Sequence, residues 1–223
     1  TVRLRNRASD DFCCEKKRTV RCEICRKKRM ILSLQGCMGV GKTTALQYIE
    51  KNVPDVHISW EENRHVIEEV KRRGLKKTKY EDYLEIQKLW LENEVKRYEK
   101  AQLWECTMMD FGAEEIEFYT LNYPKTIGAD WDVEHLLKKE LDAVRACMPQ
   151  RILFLDASEE TLRKRKETDT TRSREFFEYY IQKLLPLKKE WFLNRADVDI
   201  LNTDGKSIQE VGEKVREWLE KVR

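Results

Sequence analysis

Residues 30–49 read Met30-Ile31-Leu32-Ser33-Leu34-Gln35-Gly36-Cys37-Met38-Gly39-Val40-Gly41-Lys42-Thr43-Thr44-Ala45-Leu46-Gln47-Tyr48-Ile49, and this stretch decides the fold. Gly36 to Thr43 match G-x-x-x-x-G-K-[ST] in full. The apolar run Met30–Leu34 leads in as a buried strand, and Thr44–Ile49 leads out as a helix. Strand, glycine loop and helix in that order form the setting in which the pattern cradles phosphates. The glycines let backbone N–H groups close around a polyphosphate, and the helix N-terminus adds partial positive charge. Gly36, Met38, Gly39, Val40, Gly41, Lys42, Thr43 and Thr44 are therefore the candidate nucleotide-binding residues. Lys42 would reach the β/γ-phosphates, and the Thr43 hydroxyl would hold Mg²⁺.

Working outward, four more strand candidates follow: Val56–Ser59, Leu103–Met109, Arg151–Asp156 and Val198–Asn202. Helical patterns separate them, which predicts βαβ units and a parallel sheet. Ile152-Leu153-Phe154-Leu155 is a continuous apolar run, as expected of a strand covered on both faces. A long helical segment carries Tyr80, Tyr83, Leu84, Gln87, Trp90, Leu91, Glu94, Val95 and Tyr98 near one face, with Gly74 separating it from a preceding helix. A last helix spans Ile208–Val222, with Val211, Val215, Trp218, Leu219 and Val222 turned inward.

In an open α/β sheet, ligands bind beyond the carboxyl ends of the strands. Glu61 and Glu62 follow the second strand, and Asp110 follows the third. One of these carboxylates would accept the proton of an acceptor hydroxyl, and another would help to hold Mg²⁺ through water. Which of the three is the base is left open. Asp110-Phe111-Gly112 evokes protein kinases, but neither their catalytic-loop pattern nor their glycine loop is present. After the fourth strand, the basic segment from Arg163 to Glu175 holds Arg163, Arg165, Arg172 and Arg174 around a Thr/Asp-rich break. At this place it is expected to act as a lid, at about 163–175, that closes over a triphosphate and neutralises the transferring group.

Charge divides the chain. Residues 1–29 hold eleven Lys/Arg and four Asp/Glu, against 33 basic and 37 acidic residues in the remainder, so the overall net charge of +3 belongs to the leader. No specific nucleic-acid partner is implied by that balance. The leader is expected to be disordered or foreign to the domain, and residues 30–223 to form one domain. Four cysteines lie in it. Cys22-x-x-Cys25 has the spacing of half a zinc knuckle, but Cys13 and Cys14 are adjacent, which is awkward for a tetrahedral site, so free thiols are expected. Cys37, Cys106 and Cys147 read as ordinary small residues of a cytoplasmic protein. No apolar run approaches the roughly 18–20 residues of a membrane span.

From Met30 to Val222 the chain resembles the deoxynucleoside kinase and thymidylate kinase group of P-loop kinases. The resemblance runs through Gly36–Thr43, Trp60-Glu61-Glu62, Ile86-Gln87, Leu155-Asp156-Ala157-Ser158-Glu159-Glu160-Thr161-Leu162-Arg163-Lys164-Arg165, and Phe176, Phe177, Tyr180 and Leu184. It implies a three-layer α/β fold with a five-stranded parallel sheet of order 2-3-1-4-5 and helices on both faces. It also implies ATP with Mg²⁺ as donor, an acidic base after strand two and a glutamine, here Gln87, that reads a nucleobase. The chain departs from the group where Phe111 follows Asp110, and where Glu92 and Asn93 replace an expected arginine after Gln87. Tyr119 and Tyr123, in a block unlike that group, are candidate acceptor residues alongside Glu62 and Gln87. The expected activity is ATP-dependent phosphorylation of a nucleoside or nucleotide. Phosphorylation of an antibiotic or sugar hydroxyl, or an ATPase or switch without a small acceptor, are the alternatives, and a homodimer is left open.

Overall fold

In a computed structural model, which describes residues 29–168 and 174–223, five parallel strands form one sheet in the order β2-β3-β1-β4-β5. The strands are β1 (Met30–Gly36), β2 (His57–Ser59), β3 (Cys106–Asp110), β4 (Arg151–Asp156) and β5 (Val198–Asn202). This is the order expected from the resemblance. The helices are α1 (Lys42–Asn52), α2 (Arg64–Arg72), α3 (Tyr80–Ala101), α4 (Ala113–Thr126), α5 (Val133–Leu136), α6 (Lys138–Arg145), α7 (Glu159–Thr168), α8 (Arg174–Tyr179), α9 (Leu185–Leu193) and α10 (Ile208–Val222). A π-helical turn, Tyr180–Leu184, joins α8 to α9. The leader's calls, its four cysteines included, lie outside the described residues except at Arg29.

The side-chain alternation of β1 sets the layers. Leu32 and Leu34 pack into a core with Leu46 and Ile49 of α1 and Val211, Val215 and Leu219 of α10, while Ile31 joins Tyr83 and Leu91 of α3 and Leu141 and Val144 on the opposite face. A fully buried Leu or Ile contributes about 1.5–3 kcal/mol, so both faces of this strand are anchored. Ser207 and Glu210 close α10 with a reciprocal capping box, which satisfies two orphan donors of the first turn.

Strand boundaries move by one or two residues in β1, β2 and at the end of β3, and by three at the start of β3. The third strand starts at Cys106, not Leu103, because α3 runs to Ala101 and the chain must turn before it pairs with β1. Leu103 and Trp104 sit exposed in that turn, where the indole stacks on His57 at 4.5 Å. Their apolarity mimicked strand character. In α3 the inward face also takes Ile86 and Arg97, whereas Leu84, Trp90 and Val95 are only half-buried. The same alternation that buries Ile31 turns Ser33 and Gln35 toward α4. There Gln35 Nε2 and the Gly112 amide donate to Glu114 Oε1 at 3.0 and 2.9 Å, and the Ser33 hydroxyl donates to the same oxygen. A fully buried carboxylate thus ties the strand that feeds the glycine loop to the helix that follows β3.

Candidate active site

The glycine loop is built by close approach. Gly36 has φ 144°, and a Cβ there would lie 2.3 Å from the Leu155 carbonyl oxygen of β4. Gly39 and Gly41, at φ 77° and 104°, take conformations that favour glycine. Lys42 folds back over this loop and donates to the Gly36 and Cys37 carbonyls at 3.1 Å each. Burial and the nearby Lys188 charge lower its pKa to about 8. The ammonium is desolvated and bonded to neutral carbonyls, with the Glu115 and Asp110 charges acting on it as well, and a bound phosphate would add a direct counter-charge. Cys37 is fully buried, and burial together with Asp156 raises its thiol to about 11, which leaves it little thiolate at neutral pH.

A cavity of about 820 Å³ opens from this loop across the carboxyl ends of the strands. At the loop end its wall includes Gly36, Met38, Gly39, Gly41, Lys42, Thr43 and Thr44. Val40 is different: its side chain packs in the core, and its carbonyl accepts from Arg165 at 2.9 Å. The middle of the cavity is bordered by Glu61 and Asp110, and the far end by Tyr83, Gln87, Trp90, Tyr119 and Tyr123. Desolvation, then the Asp110 charge, raises the Glu61 pKa. Two carboxylates from neighbouring strand ends therefore feel each other in one cleft.

The buried Arg97 holds those strand ends. Its guanidinium pairs with Glu94 at 3.0 Å and donates to the carbonyls of Ser59, Trp60, Asp110 and Phe111. Phe111, directly after Asp110, has φ 44°, the sole positive φ of a non-glycine residue among the described residues. Such backbone costs about 1–3 kcal/mol and persists only when its surroundings enforce it. Arg97 enforces it, with its guanidinium 5.4 Å from the centre of the Phe111 ring.

Other candidates fall in different places. Glu62 does not border the cavity; it is exposed and pairs with Lys100 at 2.9 Å, because its side chain leaves the strand end on the solvent side. Arg163 likewise faces away and pairs with Glu159 and Glu178 on its own helix and the next. Arg165 does border the cavity and bridges the loop to Thr203, accepted by the Thr203 carbonyl at 2.9 Å. Arg172 and the Arg174 side chain lie outside the described residues, as does the break of the expected lid. At the far end, Thr120 Oγ1 lies 2.8 Å from Gln87 Oε1, which leaves the Gln87 amide donors for a ligand. Tyr83 Oη donates to the Tyr119 and Thr120 carbonyls. Lys77 sits 4.8 Å above the Tyr123 ring at the cavity wall, and burial lowers its pKa.

Three residues of the site were absent from the sequence reading: Arg97, Glu115 and Lys188. Lys188 Nζ pairs with Glu115 Oε1 at 2.7 Å, both are buried, and both border the cavity. Glu94 and Arg97 stand three apart on one helix, a spacing that could have suggested their pairing. No local signal marks Glu115 and Lys188, which are 73 residues apart.

A family model described as an AAA domain matches residues 32–199. No curated protein sequence matches the chain at a significant level. Among solved structures, a deoxyadenosine kinase from M. mycoides with the products dCMP and a flexible dCDP bound is similar at a TM-score of 0.65 and 16% identity, covering 86% of this chain and 100% of the other. The same enzyme with bound dATP gives a TM-score of 0.64 at 16% identity, with coverage of 86% and 100%. A thymidylate kinase from Candida albicans gives 0.61 at 15% identity, covering 87% of this chain and 92% of that one. The fold is thus the one the sequence resemblance implied.

Proposed function

We propose that this chain, which belongs to the AAA-domain family, is an ATP-dependent small-molecule kinase whose acceptor is a nucleoside or nucleotide. The observation that carries this reading is a single cavity that runs from the phosphate loop past two carboxylates into an aromatic chamber with a glutamine. An ATPase or switch module needs the loop but has no use for the chamber. A flat, polar ring suits a wall that includes the half-buried Trp90 and Tyr119 with the Gln87 amide, since an aromatic side chain offers a flat apolar surface and the amide supplies directed donors. A sugar or aminoglycoside would leave much of that apolar wall uncovered.

In this reading Lys42 and the loop amides hold the β- and γ-phosphates, and the Thr43 hydroxyl, with a carboxylate acting through water, holds Mg²⁺. The metal would supply charge neutralisation at the phosphate oxygens. Glu61 accepts the proton of the acceptor hydroxyl as its oxygen bonds to the γ-phosphorus and the bond to the β-phosphate oxygen breaks, releasing ADP. Burial and the Asp110 charge raise its pKa, which strengthens it as a proton acceptor. Asp110, on the adjacent strand end, is the alternative base. Arg165, and with it Arg172 and Arg174, would neutralise the transferring charge.

The test is a thermal-shift screen of nucleosides, nucleotides, sugars and aminoglycosides with Mg²⁺ and a non-hydrolysable ATP analogue, followed by ADP-release assays on the hits. Stabilisation by the analogue with a further shift from a nucleoside or nucleotide is expected. No shift from the analogue would overturn the donor assignment, and a sugar or aminoglycoside as the sole co-ligand would overturn the acceptor.

A further inference from the structure

We propose that Lys188 is a second fixed cation of the phosphate site, one that contacts the γ-phosphate of the bound nucleotide and is held in place by Glu115. This deepens the triphosphate reading above and rests on it.

The argument starts from valence. A lysine ammonium has three donors. Lys188 is 1% exposed, and among the described residues its ammonium has one hydrogen-bond acceptor, Glu115 Oε1 at 2.7 Å; its other neighbour is the Phe192 ring, 5.8 Å away. Two donors of a buried cation are left over. Glu115 is equally incomplete: Oε2 is buried with no hydrogen-bond partner. A buried ion pair recovers its desolvation cost only when the remaining donors and acceptors are also satisfied. As a purely structural bridge this one is poorly built. A phosphate oxygen would supply acceptors for the donors that Lys188 has left over, while Glu115 Oε2 still needs a donor, which an acceptor hydroxyl in the same cavity would provide.

Position selects the phosphate. Lys188 and Glu115 border the same cavity as Lys42, Glu61 and Asp110. Glu115 stands in the first turn of α4, which starts just beyond Asp110, and Lys188 reaches it from α9, which packs on α4 through Phe118 and Phe192. The Lys188 charge acts on Lys42 and on Cys37, at the start of the loop. Lys42 reaches the β/γ-phosphates. A cation near both Lys42 and the Asp110 end therefore lies toward the γ-phosphate and the acceptor, whereas Arg165 is tied to the Val40 carbonyl and to Thr203. Burial first, and the Lys188 charge second, lower the Lys42 pKa, and a triphosphate bound between the two cations would offset both.

The experiment compares a non-hydrolysable ATP analogue with ADP, each with Mg²⁺, by calorimetry. The proteins are wild type, Lys188→Met and the neutral pair Glu115→Gln/Lys188→Gln, which removes both charges without burying a lone one. If Lys188 touches the γ-phosphate, both variants lose about 10- to 100-fold in affinity for the analogue, the scale of a charged hydrogen bond, and less than about threefold for ADP. Equal losses for both nucleotides, or none, overturn the proposal. A neutral pair that cannot hold its fold at room temperature assigns the bridge to structure and overturns it too. If wild type itself binds neither nucleotide, the triphosphate reading has failed, a result that cannot be confused with the others.

Discussion

Replacing Arg97 by Met should cost more stability than any surface change and should disorganise the strand ends at the same time. The guanidinium holds Glu94 at 3.0 and 3.1 Å and the carbonyls of Ser59, Trp60 and Asp110 at 3.3 Å, and it also holds that of Phe111; both paired side chains are only 3–4% exposed. Removing one partner of such a buried pair costs about 3–5 kcal/mol. In a chain of this size each kcal/mol moves Tm by about 2–4 °C, so a fall of about 6–20 °C is expected. Glu94→Leu/Arg97→Met, which removes both charges, should recover at least about 2 kcal/mol of that loss. The pH dependence provides a second reading. Burial already raises the Glu94 carboxyl from 4.5 to about 7 while Arg97 pulls it back. Because the folded state holds this proton more tightly than the unfolded state, the associated stability is fully present below 4.5 and is lost as pH rises through about 7. Without Arg97 the carboxyl rises further, and the window of falling stability extends upward. Urea melts at several pH values between about 5 and 8 measure both effects. A loss below about 1 kcal/mol, or an Arg97→Met stability no more pH-sensitive than that of wild type, would refute the reasoning.

Further outcomes follow from the site. Gly36→Ala should lose at least about 2 kcal/mol, since its Cβ would meet the Leu155 carbonyl at 2.3 Å; thermal melts with normal stability would show that the loop has room. Lys42 has a pKa of about 8 without phosphate, so binding a triphosphate should draw up a proton at about pH 8.5 and affinity should fall as pH rises through 8; calorimetry in buffers of different ionisation enthalpy reads the proton, and release instead of uptake contradicts the assignment. Glu62→Gln should change Tm by less than about 2 °C and leave turnover intact, because its pair with Lys100 is exposed. Glu61→Gln should lower turnover at least about 100-fold while sparing ATP binding, and the reverse pattern between the two glutamates would exchange their roles.

What the sequence made legible was what is local. The phosphate loop needs three turns that favour glycine and one lysine within eight residues, so its chemistry is written in adjacent letters. The covered strands β1 and β4 stand out as short apolar runs because both of their faces are buried. The start of β3 did not, because Leu103 and Trp104 extend the apolar run past the point where the chain begins to pair. Glu62 follows the second strand as Glu61 does, yet successive side chains at a strand end diverge, and Glu61 borders the cleft while Glu62 meets Lys100. Arg97, Glu114, Glu115 and Lys188 escaped for a shared reason. Charged residues normally mark solvated faces, so a pattern reading assigns them outward, and only the fold supplies the partners that make their burial tolerable.

Those buried charges are organised around the cleft rather than scattered through the core. Arg97 from α3 reaches the ends of β2 and β3, Glu115 from α4 meets Lys188 from α9, and Glu114 reaches back to β1 beneath the glycine loop. Each bridge joins a helix to a strand end or to a second helix that borders the same cavity. Apolar packing could hold these elements together at lower electrostatic cost. What it could not do is fix carbonyls, carboxylates and ammonium groups at defined positions relative to one another, which is what a site for a transferring phosphoryl group requires. The strained Phe111 makes the same point. Backbone strain beside Asp110 is held by four carbonyl contacts and an ion pair from one arginine, so the geometry at the carboxyl end of β3 is imposed by Arg97 rather than inherited from local preference.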